Sequence, residues 1–341
     1  MPMIDLDEPR DQAALTARLN EPFEIGGVAI PNRVSLAPLA GIGNWFFRLQ
    51  ARRFGAGLLV SEMVSSHAVR YGNERTCTEL LRIHPDEHPV AIQLFGEDPV
   101  SMEAAAAVVA ATGADMIDLN MGCPVPKVCK TGAGAALLRD HDRAVDVAKA
   151  AVRGSGLPVT VKIRPGQKPG ETDGVTLAKR LEQDAGVAGI GFHPRHASQQ
   201  HKGRPDYELA RELVEALEIP VTISGGMRGA DTIRSVFDYT GADAVMLARG
   251  VMGNPWLFSQ VRGLRDQPPS DEEIIAELEW TIDRAIEHIG EQRASRYLRK
   301  FYPWYIEQLG LGHQAQDAFQ RAESIEAVRE MLSELAVGAF A

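Results

Sequence analysis

Short apolar runs alternate with longer amphipathic segments through the first three quarters of the chain. Eight runs read as buried strands: residues 34–37, 58–61, 90–94, 116–119, 159–163, 189–192, 221–224 and 244–247. Most are apolar at successive positions, the pattern of parallel strands covered on both faces. Between them, amphipathic or Ala-rich segments predict helices over residues 45–54, 99–111, 135–153, 174–184, 206–217 and 230–239. The 65–81 connection carries no clear pattern. Repeated strand–helix alternation predicts an α/β fold, a closed (β/α)8 TIM barrel over residues 25–264. An open doubly wound sheet is the alternative, but it usually has fewer strands, and no GxGxxG follows the first strand here.

After the eighth strand the pattern changes. A short helix is expected at 255–264, and then the run RDQPPSDEE breaks the alternation. Pro268 and Pro269, followed by Ser270 as an N-cap and acids in the first turn, start a new helix. Helices are predicted over residues 272–290, 295–309, 314–320 and 324–337. Residues 265–341 are therefore expected to form a small all-helical domain. Residues 1–24 read as a polar lead-in with a short helix around 12–19.

Composition narrows the class. The chain has 341 residues, 45% hydrophobic and 24% charged, ordinary for a soluble globular protein. No apolar run approaches the ~18 residues of a membrane span, and the acidic N-terminus lacks an apolar signal core. The three cysteines, Cys77, Cys123 and Cys129, form no disulfide framework and point to a reducing, cytoplasmic setting. They are also too few for a four-cysteine cluster. The formal net charge of −10 argues by itself against a nucleic-acid partner. Basic residues nevertheless gather at Lys127/Lys130, Lys162/Arg164/Lys168, Arg195/Lys202/Arg204 and Arg296/Arg299/Lys300, so a local basic face is possible.

In a barrel, residues just past the C-terminal ends of the strands line one mouth. Here those ends carry Pro38, Leu39 and Ala40, then Gln93, Asn120 with Cys123, Lys162, His193 with Arg195, Ser224-Gly225-Gly226, and Ala248-Arg249. Glycine turns after strands seven and eight are a common phosphate site, and Arg249 adds charge; a plain tight turn is the alternative. Lys162 alternates with Val161 and Ile163, so it faces opposite to them, toward the mouth or onto the barrel rim. Gln93 and Asn120 suit a heterocycle edge or a loop cap. His193 and His196 have no acidic or Cys partner at metal spacing, and no metal is expected. The set fits a phosphorylated planar cofactor, with FMN the natural candidate. Cys123, in a loop between Gly122 and Pro124, reads as a general acid, a thiolate nucleophile or an inert thiol.

The run DLNMGCP at 118–124, Lys127-Val128 and GAGAALL at 132–138 resemble the signature of the tRNA-dihydrouridine synthases, in particular the bacterial B-type branch. Further matching stretches are NRV at 32–34, APLAG at 37–41, SEMV at 61–64, AIQLFG at 91–96, VKIR at 161–164, His193 with Arg195, Lys202-Gly203, ARGVMGNPW at 248–256, and Arg299-Lys300 with Trp304-Tyr305. The resemblance implies FMN, reduced by NADPH or NADH, delivering hydride to C6 of a tRNA uridine while Cys123 protonates C5. It puts Pro38, Leu39, Ala40, Gln93, Lys162, His193, Ser224, Gly225, Gly226, Ala248 and Arg249 at cofactor positions. It puts Asn120, Lys127, Arg195, Arg299 and Lys300 on the substrate side, and the helical domain on tRNA. Cys129 is expected to be dispensable, and a monomer is favoured. Three departures touch the rim: Ser224-Gly225-Gly226 stands where Asn-Gly-Asp is usual, His196 where Thr is frequent, and Ala248 where Gly is usual. Two other readings stay open: an FMN enzyme of a free pyrimidine, like dihydroorotate dehydrogenase, and a non-catalytic RNA-binding barrel.

Overall fold

The structure is a computed structural model that describes residues 11–336. Residues 1–10 of the expected lead-in and residue 337 of the last predicted helix lie outside them. The chain opens with α1 (Gln12–Asn20), capped by the Asp11 carboxylate on the N–H groups of Ala13 and Ala14. Next comes an antiparallel hairpin, β1 (Phe23–Ile25) and β2 (Val28–Ile30), which the sequence reading did not anticipate. Each of its strands has three residues, too short for periodicity to show.

The barrel strands are β3 (Val34–Leu36), β4 (Leu58–Val60), β6 (Val90–Phe95), β7 (Met116–Asn120), β8 (Val159–Ile163), β9 (Gly189–Phe192), β10 (Val221–Ser224) and β11 (Ala244–Leu247). All neighbouring pairs are parallel; β11 pairs with β3 and β4 with β6, which closes the ring. The two-residue β5 (Val64–Ser65) extends the edge of β6 near the mouth. Around the ring lie α2 (Trp45–Arg53), α3 (Ser66–Arg70), α4 (Pro99–Ala111), α6 (His141–Ser155), α7 (Asp173–Ala185), α8 (Tyr207–Ala216) and α9 (Ala230–Thr240), with the one-turn α5 (Pro126–Cys129) after β7. The helix predicted from 135 starts later, because Asp140 caps Arg143 N–H and a 3-10 turn, Gly134–Arg139, fills the preceding residues.

The alternation of β8 shows how the barrel sorts its residues. Val159, Val161 and Ile163 belong to the large apolar core shared with the helices, while Lys162 faces the barrel interior. Inside, a separate apolar cluster of Leu58, Val60, Ala91, Met116 and Met246 meets Ile25 and Ile30 of the hairpin. The hairpin thus plugs the N-terminal end of the barrel.

After α10 (Trp256–Val261) the chain is helical: α11 (Asp271–Ile289), α12 (Glu291–Leu298), α13 (Tyr302–Gln308), α14 (His313–Arg321) and α15 (Ile325–Ala336). Ser270 and Glu273 form a reciprocal capping box at the start of α11. The single helix expected over 295–309 is broken at Arg299–Phe301, because Pro303 in the first turn of α13 has no N–H to continue it. These helices dock on α2. Phe46 packs against Tyr297 and Phe301, and Gln50 Nε2 donates to Glu277 Oε1 and to Tyr305 OH, each at 2.8 Å. Among the described residues, no helix is long and apolar enough to cross a membrane.

Candidate active site

The strand ends converge on one cavity of about 680 Å³ at the C-terminal mouth of the barrel. Pro38, Leu39, Ala40, Gln93, Lys162, His193, Ser224, Gly225, Gly226, Ala248 and Arg249 all line it, as do Asn120, Cys123 and Arg195. Lys127, Arg299 and Lys300 do not. Lys127 is exposed on α5, Arg299 is exposed at the α12–α13 break, and Lys300 lies against the loop after β3.

A chain of hydrogen bonds runs from the barrel interior to the cysteine loop. The Asp118 carboxylate accepts from Thr160 Oγ1 and from Gln93 Nε2, both at 2.6 Å. Gln93 Oε1 then accepts from Asn120 Nδ2 at 2.9 Å, and Asn120 Oδ1 accepts from the backbone N–H of Cys123 at 2.9 Å. Since Asp118 as a carboxylate only accepts, it fixes which way the Gln93 amide points, and Gln93 fixes Asn120 in turn. Burial pushes the Asp118 carboxyl up to about 6, against the bonds from Thr160 and Gln93 and the charge of Lys162. The remaining reach of Asn120 Nδ2 is to Met63 Sδ at 3.7 Å, a weak contact.

Cys123 is half-buried at the rim. Burial raises its thiol pKa, while the Val125 N–H and the charges of Arg164 and Lys162 act the other way. The group is therefore a thiol at neutral pH, with cations nearby to stabilise the thiolate once the proton leaves. Cys129 differs: its Sγ donates to the Cys123 carbonyl at 3.3 Å and lies outside the cavity lining.

Positive charge dominates the wall that follows β8, β9, β10 and β11. Lys162, Arg164, Arg195, Arg228 and Arg249 line the cavity, and among the described residues no carboxylate does. In a chain of net charge −10 this is a local field for an anion. Lys162 Nζ donates to Ser224 Oγ at 3.3 Å, and burial, with Arg164 second, brings its pKa down to about 8. His193 is held far below its ordinary value by burial and then by Lys162, Arg164 and Arg195, so its ring is neutral. Arg195 NH1 donates to His193 Nε2 at 3.2 Å, which puts the ring proton on Nδ1. Arg195 also donates to the Gly203 carbonyl, so this residue, expected on the substrate side, is engaged within its own loop.

The turn after β10 has to be glycine. Gly225 has φ +101°, and a Cβ there would come within 2.5 Å of the His193 ring; Gly226 has φ +79°, and a Cβ would meet Tyr207 OH at 2.5 Å. Bare backbone is thereby presented to the cavity beside Arg228 and Arg249.

Arg164 and the lining residues Met63, Gln200, His201 and Arg228 were not assigned from sequence. Arg164 donates to the carbonyls of Arg195, His196 and Gln200, so it clips the β9 loop into place. Arg228 carried a readable signal, a cation two residues past a diglycine turn. His201 carried none; it reaches the cavity by stacking on His193, ring centroids 6.1 Å apart.

The comparisons with known proteins agree with one another. A family model described as Dihydrouridine synthase (Dus) matches residues 35–340. The tRNA-dihydrouridine synthase B of Pseudomonas aeruginosa is 34% identical over 322 residues, covering 91% of this chain and 96% of the relative. That of Proteus vulgaris is 35% identical over 323 residues, covering 92% and 97%. Among solved structures, a 2-naphthoyl-CoA reductase complex aligns with TM-score 0.60 at 14% identity, over 76% of this chain and 56% of that one. Morphinone reductase aligns with TM-score 0.54 at 17% identity, over 74% and 91%. At such identities these two share the barrel fold and nothing finer.

Proposed function

Because the chain belongs to the dihydrouridine synthase family, we propose that it reduces uridines of tRNA to 5,6-dihydrouridine, with FMN seated in the barrel mouth. One observation carries the reading: a single cavity brings together the Cys123 thiol, Asn120 and the Gly225–Gly226 turn with its arginines. The cavity fits the cofactor. Gly225 and Gly226 let the turn pack close against His193 and Tyr207 with its backbone at the cavity wall, and among the described residues the lining is cationic without a carboxylate. The backbone of that turn, with Arg228 and Arg249, would hold the phosphate. Gln93, Lys162 and neutral His193 would hold the ring, with Pro38, Leu39 and Ala40 on its other side.

When bound, FMN supplies the hydride that adds to C6 of the uracil, drawn in turn from NADPH or NADH. Cys123 Sγ gives its proton to C5. Its raised pKa keeps that proton in place until the base arrives, and Arg164 and Lys162 then stabilise the thiolate. Asn120 places the thiol through the Cys123 N–H, and its weakly engaged N–H toward Met63 is free to turn to a base oxygen. The target uridine has to leave its stack to enter a cavity of this depth. Lys127, Arg299 and the helices of residues 271–336 supply the RNA-facing surface, a domain with no use for a free pyrimidine.

The test is to purify the protein, look for flavin absorbance, and measure dihydrouridine in tRNA from cells lacking it, with add-back of the native chain and of Cys123→Ala. Native chain restoring dihydrouridine and Cys123→Ala failing to do so supports the reading. A protein that takes up no flavin, or cells whose tRNA keeps its full dihydrouridine content, sinks it.

A further inference from the structure

The loop between β3 and α2 is held from outside the barrel. Its first residues, Pro38, Leu39 and Ala40, line the cavity, and the next, Gly41, is gripped at both of its peptide groups. The Gly41 N–H donates to Glu62 Oε2 at 2.8 Å. The Gly41 carbonyl accepts from Tyr297 OH at 3.1 Å and from Lys300 Nζ, both on the C-terminal helical segment. Tyr297 OH also accepts from Asn44 Nδ2 at 2.5 Å, so one phenol ties both ends of the loop. Lys300 Nζ sits 3.7 Å from the centroid of the Tyr297 ring and is attracted by Glu62. Without Tyr297 and Lys300 the Gly41 carbonyl would face only solvent, and Gly41 (φ +79°) brings no side chain to steady the turn.

We infer that Tyr297 and Lys300 are positioning residues for the cofactor: they clamp the Pro38–Leu39–Ala40 wall from the helical segment. The segment is then part of the flavin site as well as an RNA-facing surface, and Lys300 serves the loop while Arg299, exposed beside it, serves the RNA. The inference rests on the proposed seat of FMN for its consequence, but the clamp itself can be read without any cofactor.

Three measurements on the full-length chain decide it. The first is amide hydrogen exchange in flavin-free protein, over the peptide spanning residues 38–44. Tyr297→Phe removes two hydrogen bonds and is expected to speed exchange about tenfold or more, and Lys300→Met by about threefold to tenfold. The second is FMN affinity, by fluorescence titration of flavin-free protein; it should weaken by similar factors. The third is the salt dependence of tRNA binding. Lys300→Met should leave the slope of log affinity against log salt as in the native chain, and Arg299→Met should reduce it by about one. Unchanged exchange in both variants overturns the clamp, and so does a Lys300→Met protein that loses one unit of slope while holding FMN normally. A native chain that binds no FMN would overturn the proposed function instead, with the exchange measurement still deciding the clamp.

Discussion

The floor and the mouth of the barrel are built from the same strands, yet they differ in kind. At the floor the inward positions are Leu58, Val60, Ala91 and Met116, closed by Ile25 and Ile30 of the hairpin. Two residues further along, Ala91 gives way to Gln93 and Met116 to Asp118. The apolar floor needs volume and little geometry. The mouth buries a carboxylate, an ammonium and an imidazole, and each is held by named partners: Asp118 by Thr160 and Gln93, Lys162 by Ser224, His193 by Arg195. Stability and chemistry are therefore stacked along the barrel axis. Floor substitutions should move stability and spare the reaction, and mouth substitutions should do the reverse.

The largest expected effect is at the mouth. Cys123→Ala should lower dihydrouridine formation by about 10²–10⁴-fold, the range for a lost general acid, with thermal unfolding unchanged; tRNA turnover and calorimetry together check it. The converse is Met116→Ala at the floor, which should lower stability by about 2–5 kcal/mol in urea unfolding while the folded fraction keeps its kcat. A Met116→Ala protein of native stability would break the comparison. Gly225→Ala should weaken FMN binding by about tenfold or more, because the positive φ and the His193 contact force the turn to move; fluorescence titration reads it.

A smaller effect concerns the Asp118 carboxylate at the base of the mouth. Its carboxyl is raised in the folded chain to about 6 from an ordinary 3.8. Between those values the folded state holds more protons than the unfolded one, so this group makes stability fall as pH rises through the window. Asp118→Asn cannot titrate, so the stability of the native chain relative to it should decline from pH 4 to 6; urea unfolding of both across that range checks the sign. Smallest of all, Cys129→Ser should leave turnover within about twofold, because its thiol only donates to a carbonyl and lies outside the cavity lining.

Much of this division was legible in the chain. The alternation of β8 separates Lys162 from its apolar neighbours, and the strand ends alone gather Gln93, Asn120, Cys123, His193 and the diglycine turn. The β1–β2 hairpin was not legible, since three-residue strands carry no period. The partners of Lys300 were equally hidden: Gly41 lies 259 positions away along the chain. Nor could sequence show that Arg195 is engaged by His193 and Gly203, or that His201 arrives at the cavity. These are contacts between loops, and loop paths depend on what each loop packs against.

The sequence by itself determined the barrel, the mouth at which its chemistry gathers, and the family to which the chain belongs. It did so because hydrophobic period and turn chemistry are local properties, and because a motif such as DLNMGCP places its Cys and Asn within one turn. Only the tertiary structure decided how those residues are held. The orientation of Gln93 depends on Asp118 of the neighbouring strand, the protonation of Cys123, Lys162 and His193 depends on burial and on charges brought from other strands, and the wall at Pro38–Ala40 depends on two residues of the helical segment. Desolvation and hydrogen-bond direction exist only once the chain has closed around them.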